Sequence, residues 1–483
     1  MELSRGELSI LTNEELEKIH ESSLEILCTT GIKVGHEKSL NLLAEAGADV
    51  NYEENRAKIP ATLVNEALEK CPDQFTLYGR DPRYQLTFRA ENPPLYFSME
   101  GSPSNLIDLD SGEKRKATLE DLEKFYRLAD ALDNVNHAGC AVWPTDIPAP
   151  VSHAHVIFSG FANTTKTVDG VTRGVVHSND ALRMASVIAG SKEKLKEKPR
   201  LLGYVQSVSP LRYEKAQEEG LIAYAQARQP VIIVPWPLGG VSAPVTFAGE
   251  LTQLNAEVLG DIVIAQLTNP GTPIIYGGCP TSADLQTLSS NIGGIELGLM
   301  DIGIAQLGRY YKLPTRGTAG STDSKVLDIQ AGYEKGLPLL LAALSGANLI
   351  NHAIGSVEST MAASYVASII DDEVAGMIRW LVTNQFPVNP ETLALDTVDE
   401  VSSGGSFITH PHTLKHFKKL YNPKLFDKET RETWQKNGSK TTTDRARQKA
   451  KHLIDNHQPP PLDPSIESEL KEIIKEIERR ELS

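Results

Sequence analysis

The stretch Leu313–Glu334, LPTRGTAGSTDSKVLDIQAGYE, changes character within a few residues. A short apolar start gives way to Arg316-Gly317-Thr318-Ala319-Gly320-Ser321-Thr322-Asp323-Ser324, and a helical pattern opens at Lys325. Small residues let backbone N–H groups and a helix N-terminus approach a ligand closely. The same run also suits a tight, capped turn from strand to helix. On either reading it is one strand–loop–helix unit, and the architecture follows from how often that unit recurs.

Working outward, short apolar or β-branched runs recur at Leu95–Met99, His137–Trp143, Thr165–Asp169, Leu201–Ser207, Val231–Trp236, Pro273–Gly277, Leu313–Gly317 and Ala347–His352. Helical stretches between and after them include Leu119–Ala131, Ala216–Ala227, Ala248–Gln266, Gly294–Tyr310, Lys325–Leu344 and Met361–Leu381. Near-continuous apolar strands alternating with helices are the pattern of parallel strands buried on both faces. Eight units between 94 and 395 predict an α/β fold, a (β/α)8 TIM barrel. An open doubly wound sheet is the rival, and no dinucleotide fingerprint favours it. Residues 1–93 read as a helical N-terminal extension. Residues 396–483 read as a C-terminal cap segment followed by a terminal helix. In that helix Leu470, Ile473, Ile474 and Ile477 make one apolar stripe after the breaker Pro459-Pro460-Pro461. The stripe suits packing on its own barrel or on a neighbouring subunit, and a homo-oligomer is expected.

With 40% hydrophobic residues, the 483-residue chain can bury a large core. A net charge of −15 argues against nucleic acid, whose phosphates demand a basic surface. No apolar run has the length of a membrane span, and MELSRGELSILTNEELEK lacks a signal-peptide core, so a cytoplasmic protein with no membrane partner is expected. The four cysteines, Cys28, Cys71, Cys140 and Cys279, are scattered without a CxxC pair, which argues against disulfides and a zinc ribbon. HExxH, a Walker loop and GxGxxG are all missing from the sequence.

Several groups of residues, in order, carry a resemblance across nearly the whole chain. Gly101, Asp108, Ser111-Gly112-Glu113, Arg115, Ala117-Thr118, Asp121 and Arg127-Leu128-Ala129-Asp130 open it. Ser324-Lys325 and Asp328-Ile329-Gln330-Ala331-Gly332-Tyr333-Glu334 continue it, and Gly404-Gly405-Ser406-Phe407, His412-Thr413 and Trp434 close it. In these the chain resembles the trimethylamine methyltransferase family. The resemblance implies the same barrel and transfer of a methyl group from a methylated amine to the cobalt of a separate corrinoid protein. The archaeal trimethylamine enzymes carry pyrrolysine in the active site, whereas this sequence uses the twenty ordinary residues. That departure implies the non-pyrrolysine branch, which acts on quaternary amines such as glycine betaine. The chain also lacks DxHxxG, the corrinoid-binding signature, so no cofactor is expected on it and the corrinoid (cobalamin) should arrive on a transient partner protein. Two rivals stand beside this reading: a tertiary-amine methyltransferase, which needs a placed acid, and a betaine-binding protein without turnover.

Barrel active sites lie where strands end and βα loops begin. A quaternary ammonium offers neither lone pair nor N–H and is held by aromatic faces. Trp143 and Trp236, at two strand ends, are the leading cage walls, with Tyr96, Phe97 and Tyr276 next. A betaine carboxylate would need donors, for which Arg316 and His352 beside Asn351 are candidates. Either Arg316 or His352 could instead bond an interior carboxylate such as Glu100 or Asp169. Gln330 and Tyr333, one helical turn apart, are expected to border the pocket. His410, His412 and His416 cluster in HPHTLKHF, a spacing that would suit zinc. A quaternary nitrogen leaves as a neutral amine and gives a Lewis acid nothing to do, so no metal is expected and the cluster reads as a cap near the barrel mouth.

Overall fold

The computed structural model describes residues 8–99, 101–284, 286, 289–384 and 386–483. Eight parallel strands form its centre: β1 (Tyr96–Met99), β2 (Val135–Ala138), β3 (Thr167–Asp169), β4 (Leu201–Val205), β5 (Val231–Ile233), β6 (Ile274–Tyr276), β7 (Arg316–Thr318) and β8 (Leu349–Asn351). Hydrogen bonding runs in the order 6-5-4-3-2-1-8-7. The Tyr276 N–H then donates to the Pro314 carbonyl at 2.8 Å, with Tyr276 opposite Thr315, and so joins β6 to β7. The sheet is a closed (β/α)8 barrel.

Each strand is followed by its helix. These are α1 (Leu119–Ala131), α2 (Ala149–Asn163), α3 (Val175–Ala189), α4 (Lys215–Gln226), α5 (Phe247–Thr268), α6 (Ile295–Tyr310), α7 (Ile329–Ser345) and α8 (Tyr365–Thr383). Two local departures from the sequence reading have plain causes. The apolar run from His137 continues to Trp143, but β2 ends at Ala138, because Cys140–Trp143 is an apolar loop packed under the loop that follows β1. There Trp143 N–H donates to the Pro103 carbonyl at 2.9 Å. Helix α7 begins at Ile329 rather than Lys325, because the Asp328 carboxylate caps it by accepting the Ala331 N–H at 3.1 Å.

Two layers of apolar packing follow from strand alternation. Outward residues such as Phe97, Val135, Val168, Val205 and Ile350 meet the helices in the main core. Inward residues Leu202, Ile232, Ile275 and Leu349 meet Leu77, Leu86 and Phe88 of a hairpin, Gln74–Tyr78 with Gln85–Arg89. That hairpin plugs the bottom of the barrel, where Tyr78 N–H donates to Pro199 O and Asn348 donates to Arg89 O, both at 2.9 Å. At the opposite end, loops build walls. Asn105–Ile107 of the β1α1 loop pairs with Ala362–Ser364 of the β8α8 loop, and Leu238–Gly239 pairs with Thr281–Ser282.

The N-terminal helices Asn13–Glu25, Glu37–Glu45 and Ala61–Lys70 pack on α5, whose residues are accordingly buried on nearly every side. The terminal helix, Pro464–Leu482, settles the choice its stripe left open. Leu470, Ile473, Ile474 and Ile477 are buried against α2 and α3 of the same chain. Arg480 forks onto Asp180 at 2.6 and 3.1 Å, and His155 pairs with Glu478 at 3.1 Å. A stripe consumed within the chain is not an oligomer contact. Among the described residues no helix is long and apolar enough to cross a membrane. Leu470→Ala should therefore cost about 2–5 kcal/mol of stability in urea denaturation, as for any buried leucine left as a cavity. Sedimentation should show its assembly state unchanged.

Candidate active site at the barrel mouth

Above the apolar floor the inward positions turn polar. Arg316, at the first position of β7, is buried, and its guanidinium is held on two sides. Nε donates to Asn351 Oδ1 and Nη1 to the Gly278 carbonyl, both at 2.8 Å, with a further bond from Nη1 to the Thr318 hydroxyl. Asn351 Nδ2 in turn donates to the Tyr204 hydroxyl at 2.8 Å. A polar chain thus crosses the barrel from β7 through β8 to β4. The Nη2 of Arg316 makes no hydrogen bond to a described residue.

Beside this chain stands an aromatic wall. Tyr204 and Trp236 belong to the inward cluster with Val234 and Cys279, and both remain partly exposed at the mouth. Trp236 Nε1 lies 3.4 Å from the Thr281 hydroxyl on the loop after β6. On the other side His137 and Asp169 pair at 2.7 Å, and Asp169 also accepts the Cys140 N–H at 2.8 Å. Asp169 is therefore committed to β2 and does not bond Arg316, while Glu100 lies outside the described residues. His352 follows β8 in left-handed backbone, φ +60°, a conformation that costs a non-glycine residue of order 1 kcal/mol and clusters at functional sites. It is buried against Gly101, where a Cβ would sit 3.5 Å from its Nδ1.

The loops that carry these groups are clamped from behind. Lys335 Nζ donates to the Gly320 and Ser356 carbonyls, each at 2.7 Å, and to Asp371 Oδ2 at 2.9 Å. The same Asp371 oxygen accepts the Gly355 N–H at 2.7 Å, so one buried ion pair ties the loop after β7 to the loop after β8. Glu334 accepts from the Thr322 hydroxyl at 2.5 Å and the Asp323 N–H at 2.8 Å. Asp301, from α6, accepts the Thr318 N–H with both oxygens at 2.9 Å and sits so close to β7 that a Cβ at Gly317 would lie 3.2 Å from its Oδ2.

The sequence-named candidates divide sharply. Arg316, Asn351, His352 and Trp236 gather at the mouth. Trp143 packs on the outer core instead. Phe97 and Tyr276 point outward: Phe97 lies under the Arg379 guanidinium, 5.1 Å from its centroid, and Tyr276 donates to Asn255 Oδ1 at 2.8 Å. Tyr96 points inward but at the bottom, its hydroxyl 3.2 Å from the Thr87 N–H of the plug hairpin. Gln330 bonds Glu334 at 2.8 Å on the exposed side of α7, and Tyr333 is exposed there too. The histidines of HPHTLKHF sit on a surface segment in which His410 pairs with Glu400 at 3.1 Å and His416 with Glu391 at 3.3 Å. Among the described residues, none of the three bonds a residue of the mouth. Tyr204 was missed, although it shares with Leu202 the inward face of β4, opposite Val205, and that period alone marks it as inward.

Burial pushes the Asp301 carboxyl up to about 8, against the pull of the Thr318 amide and the Arg316 charge. The fold then holds a proton that the unfolded chain releases above its ordinary value of 3.8. Stability from this group is fully present below that value and is lost as pH rises towards about 8. Asp301→Asn should remove that slope, up to about 1.4 kcal/mol per pH unit, when unfolding free energies are compared across the window.

Comparison with known proteins bears on the whole chain. Residues 2–482 match the family described as trimethylamine methyltransferase (MTTB). A glycine betaine methyltransferase of Desulfitobacterium hafniense (strain Y51) is 36% identical over 468 residues, covering 96% of each chain. A trimethylamine methyltransferase MttB of Desulfitobacterium hafniense (strain DSM 10664 / DCB-2) is 35% identical over 471 residues, covering 98% of this chain and 94% of its own. Trimethylamine methyltransferase MttB2 of Methanosarcina mazei is 30% identical over 483 residues, with 99% and 97% covered.

Proposed function

Because the chain belongs to the trimethylamine methyltransferase family and is a methyltransferase, we propose that it takes its methyl group from a quaternary amine that also carries a carboxylate, glycine betaine being the simplest. The acceptor is the reduced cobalt of a separate corrinoid protein. One observation carries the choice of substrate: a buried guanidinium at the mouth, Arg316, whose Nη2 has no partner among the described residues, faces no competing carboxylate there in Asp169. A buried cation repels a bare ammonium. It suits a zwitterion whose carboxylate sits between the two positive charges.

In this reading Trp236 and Tyr204 present faces to the trimethylammonium head, and Asn351 with His352 completes the polar side. The reaction is a displacement at a methyl carbon. The C–N bond breaks, its electron pair stays on nitrogen, and a neutral tertiary amine leaves without needing a proton. The protein's share is to desolvate the cation and hold one methyl towards the open mouth, which is catalysis by orientation. The acceptor protein has to leave after each transfer. Its docking surface belongs with transient contacts, below about 1,200 Å².

Incubating the protein with glycine betaine and a reduced corrinoid protein should give the absorbance change of corrinoid methylation and release dimethylglycine. A response to trimethylamine but not to betaine would favour the tertiary-amine reading, and binding without any spectral change would leave a betaine-binding protein. Trp236→Ala should weaken betaine binding by about 1–2 kcal/mol. Arg316→Met should weaken betaine more than choline, which lacks the carboxylate, as measured by calorimetric titration of both ligands.

A further inference from the structure

Helix α5 buries three polar side chains on one face. Glu250, Gln253 and Glu257 recur at i, i+3 and i+7, and all three are buried. Buried polar groups cost free energy unless they are paired. Here the partners lie in the loops after β4, β5 and β6, which follow the strands on the aromatic side of the mouth.

Glu257 takes the loop after β4. Its carboxylate accepts the Ser209 hydroxyl at 2.7 Å, the Leu211 N–H at 2.9 Å and the Ser207 hydroxyl at 3.2 Å. Gln253 Nε2 donates to Glu257 Oε1 at 3.0 Å and to the Ser242 carbonyl at 2.9 Å, so one amide joins that loop to the next. Ser242 closes the turn that starts at Leu238, whose N–H donates to the Ser242 hydroxyl at 2.9 Å. Glu250, in the first turn of α5, lies against the paired segments Leu238–Gly239 and Thr281–Ser282. A Cβ on Gly239 would stand 2.8 Å from Glu250 Oε2, so the carboxylate and that backbone are in close contact. Burial pushes the Glu250 carboxyl up to about 7, against the pull of the Gly239 and Thr281 N–H groups.

These two loops bracket Trp236. The ring precedes Leu238 by two residues, and its Nε1 lies 3.4 Å from the Thr281 hydroxyl, which also accepts from Ser290 at 2.8 Å. The apolar packing around the ring is non-directional, so the tilt of its plane is set by Nε1 and by the backbone on either side. A cation is held only when it sits over the ring face, within about 6 Å of the centroid. Tilt therefore decides affinity.

We propose that Glu250 and Gln253 are positioning residues for Trp236. Through them α5 fixes the loops after β5 and β6, and with those loops the ring face offered to the substrate. Both act through loop backbone rather than on the substrate. The proposal rests on the reading in which Trp236 faces the ammonium head.

The chain has four tryptophans, so the Trp236 fluorescence is taken as the difference between each protein and its Trp236→Phe counterpart. Glu250→Leu and Gln253→Leu should each raise acrylamide quenching of that signal. Glu250→Gln, which keeps the shape and an acceptor oxygen, should return it towards wild type. In calorimetric titration Glu250→Leu should weaken betaine about tenfold, the worth of one cation–π face. Added to Trp236→Ala, where the face is already gone, the same change should weaken betaine no further. If Glu250→Leu fails to fold by circular dichroism, Gln253→Leu decides by the same two readouts. Wild-type quenching in the leucine variants overturns the proposal. So does a loss of affinity that persists in full in Trp236→Ala, because that marks a general loosening of the fold. Betaine bound as tightly by Trp236→Ala as by wild type overturns the substrate reading and this proposal with it. A weakened Trp236→Ala beside an unaffected Glu250→Leu overturns the proposal alone.

Discussion

A parallel sheet carries unpaired N–H and C=O groups along both edges until those edges meet. In this protein they meet between β6 and β7, where the Tyr276 N–H finds the Pro314 carbonyl. Much else depends on that closure. It fixes which side chains face inward and sends all eight helices outside. It also brings Arg316 of β7 within reach of Gly278 after β6 and Asn351 of β8, at 2.8 Å each. The bottom is sealed by Leu77, Leu86 and Phe88 of the plug hairpin, which leaves chemistry to the loop-walled end.

The barrel was legible because buried parallel strands read as apolar runs, and six helix stretches fell close to their observed bounds. The site was legible only in part, for a physical reason. Proximity to a strand end does not say which way a side chain points. Phe97 and Tyr276 lie at strand ends and face the helices, while Tyr96 faces inward at the wrong end. Trp143 follows an apolar loop that reads like strand. Parity along β4 would have found Tyr204, and parity on α7 would have shown Tyr333 aligned with Ile329 and Leu337 on the outer face. The terminal stripe could not name its partner from sequence, since burial against α2 and on another subunit demand the same spacing.

The electrostatics of the mouth are unusual for the quaternary-amine site we propose. Among the described residues the mouth holds a buried arginine, Arg316, while the Asp169 carboxylate is occupied by His137 and the Cys140 amide. Asp301, behind β7, is pushed towards its neutral form by burial. Such a field disfavours a lone ammonium and favours a molecule carrying its own negative group. In the proposed betaine reading, aromatic faces serve the methylated head, which no hydrogen bond can hold.

Calorimetric titration of glycine betaine against its carbon isostere, 3,3-dimethylbutanoate, tests that central claim most directly. The two share shape and carboxylate and differ only in the positive nitrogen. The account predicts that betaine binds at least about tenfold more tightly, the worth of one desolvated cation–π face, and that Trp236→Ala erases most of the difference. Equal affinity for the two, in the wild-type protein, would contradict it.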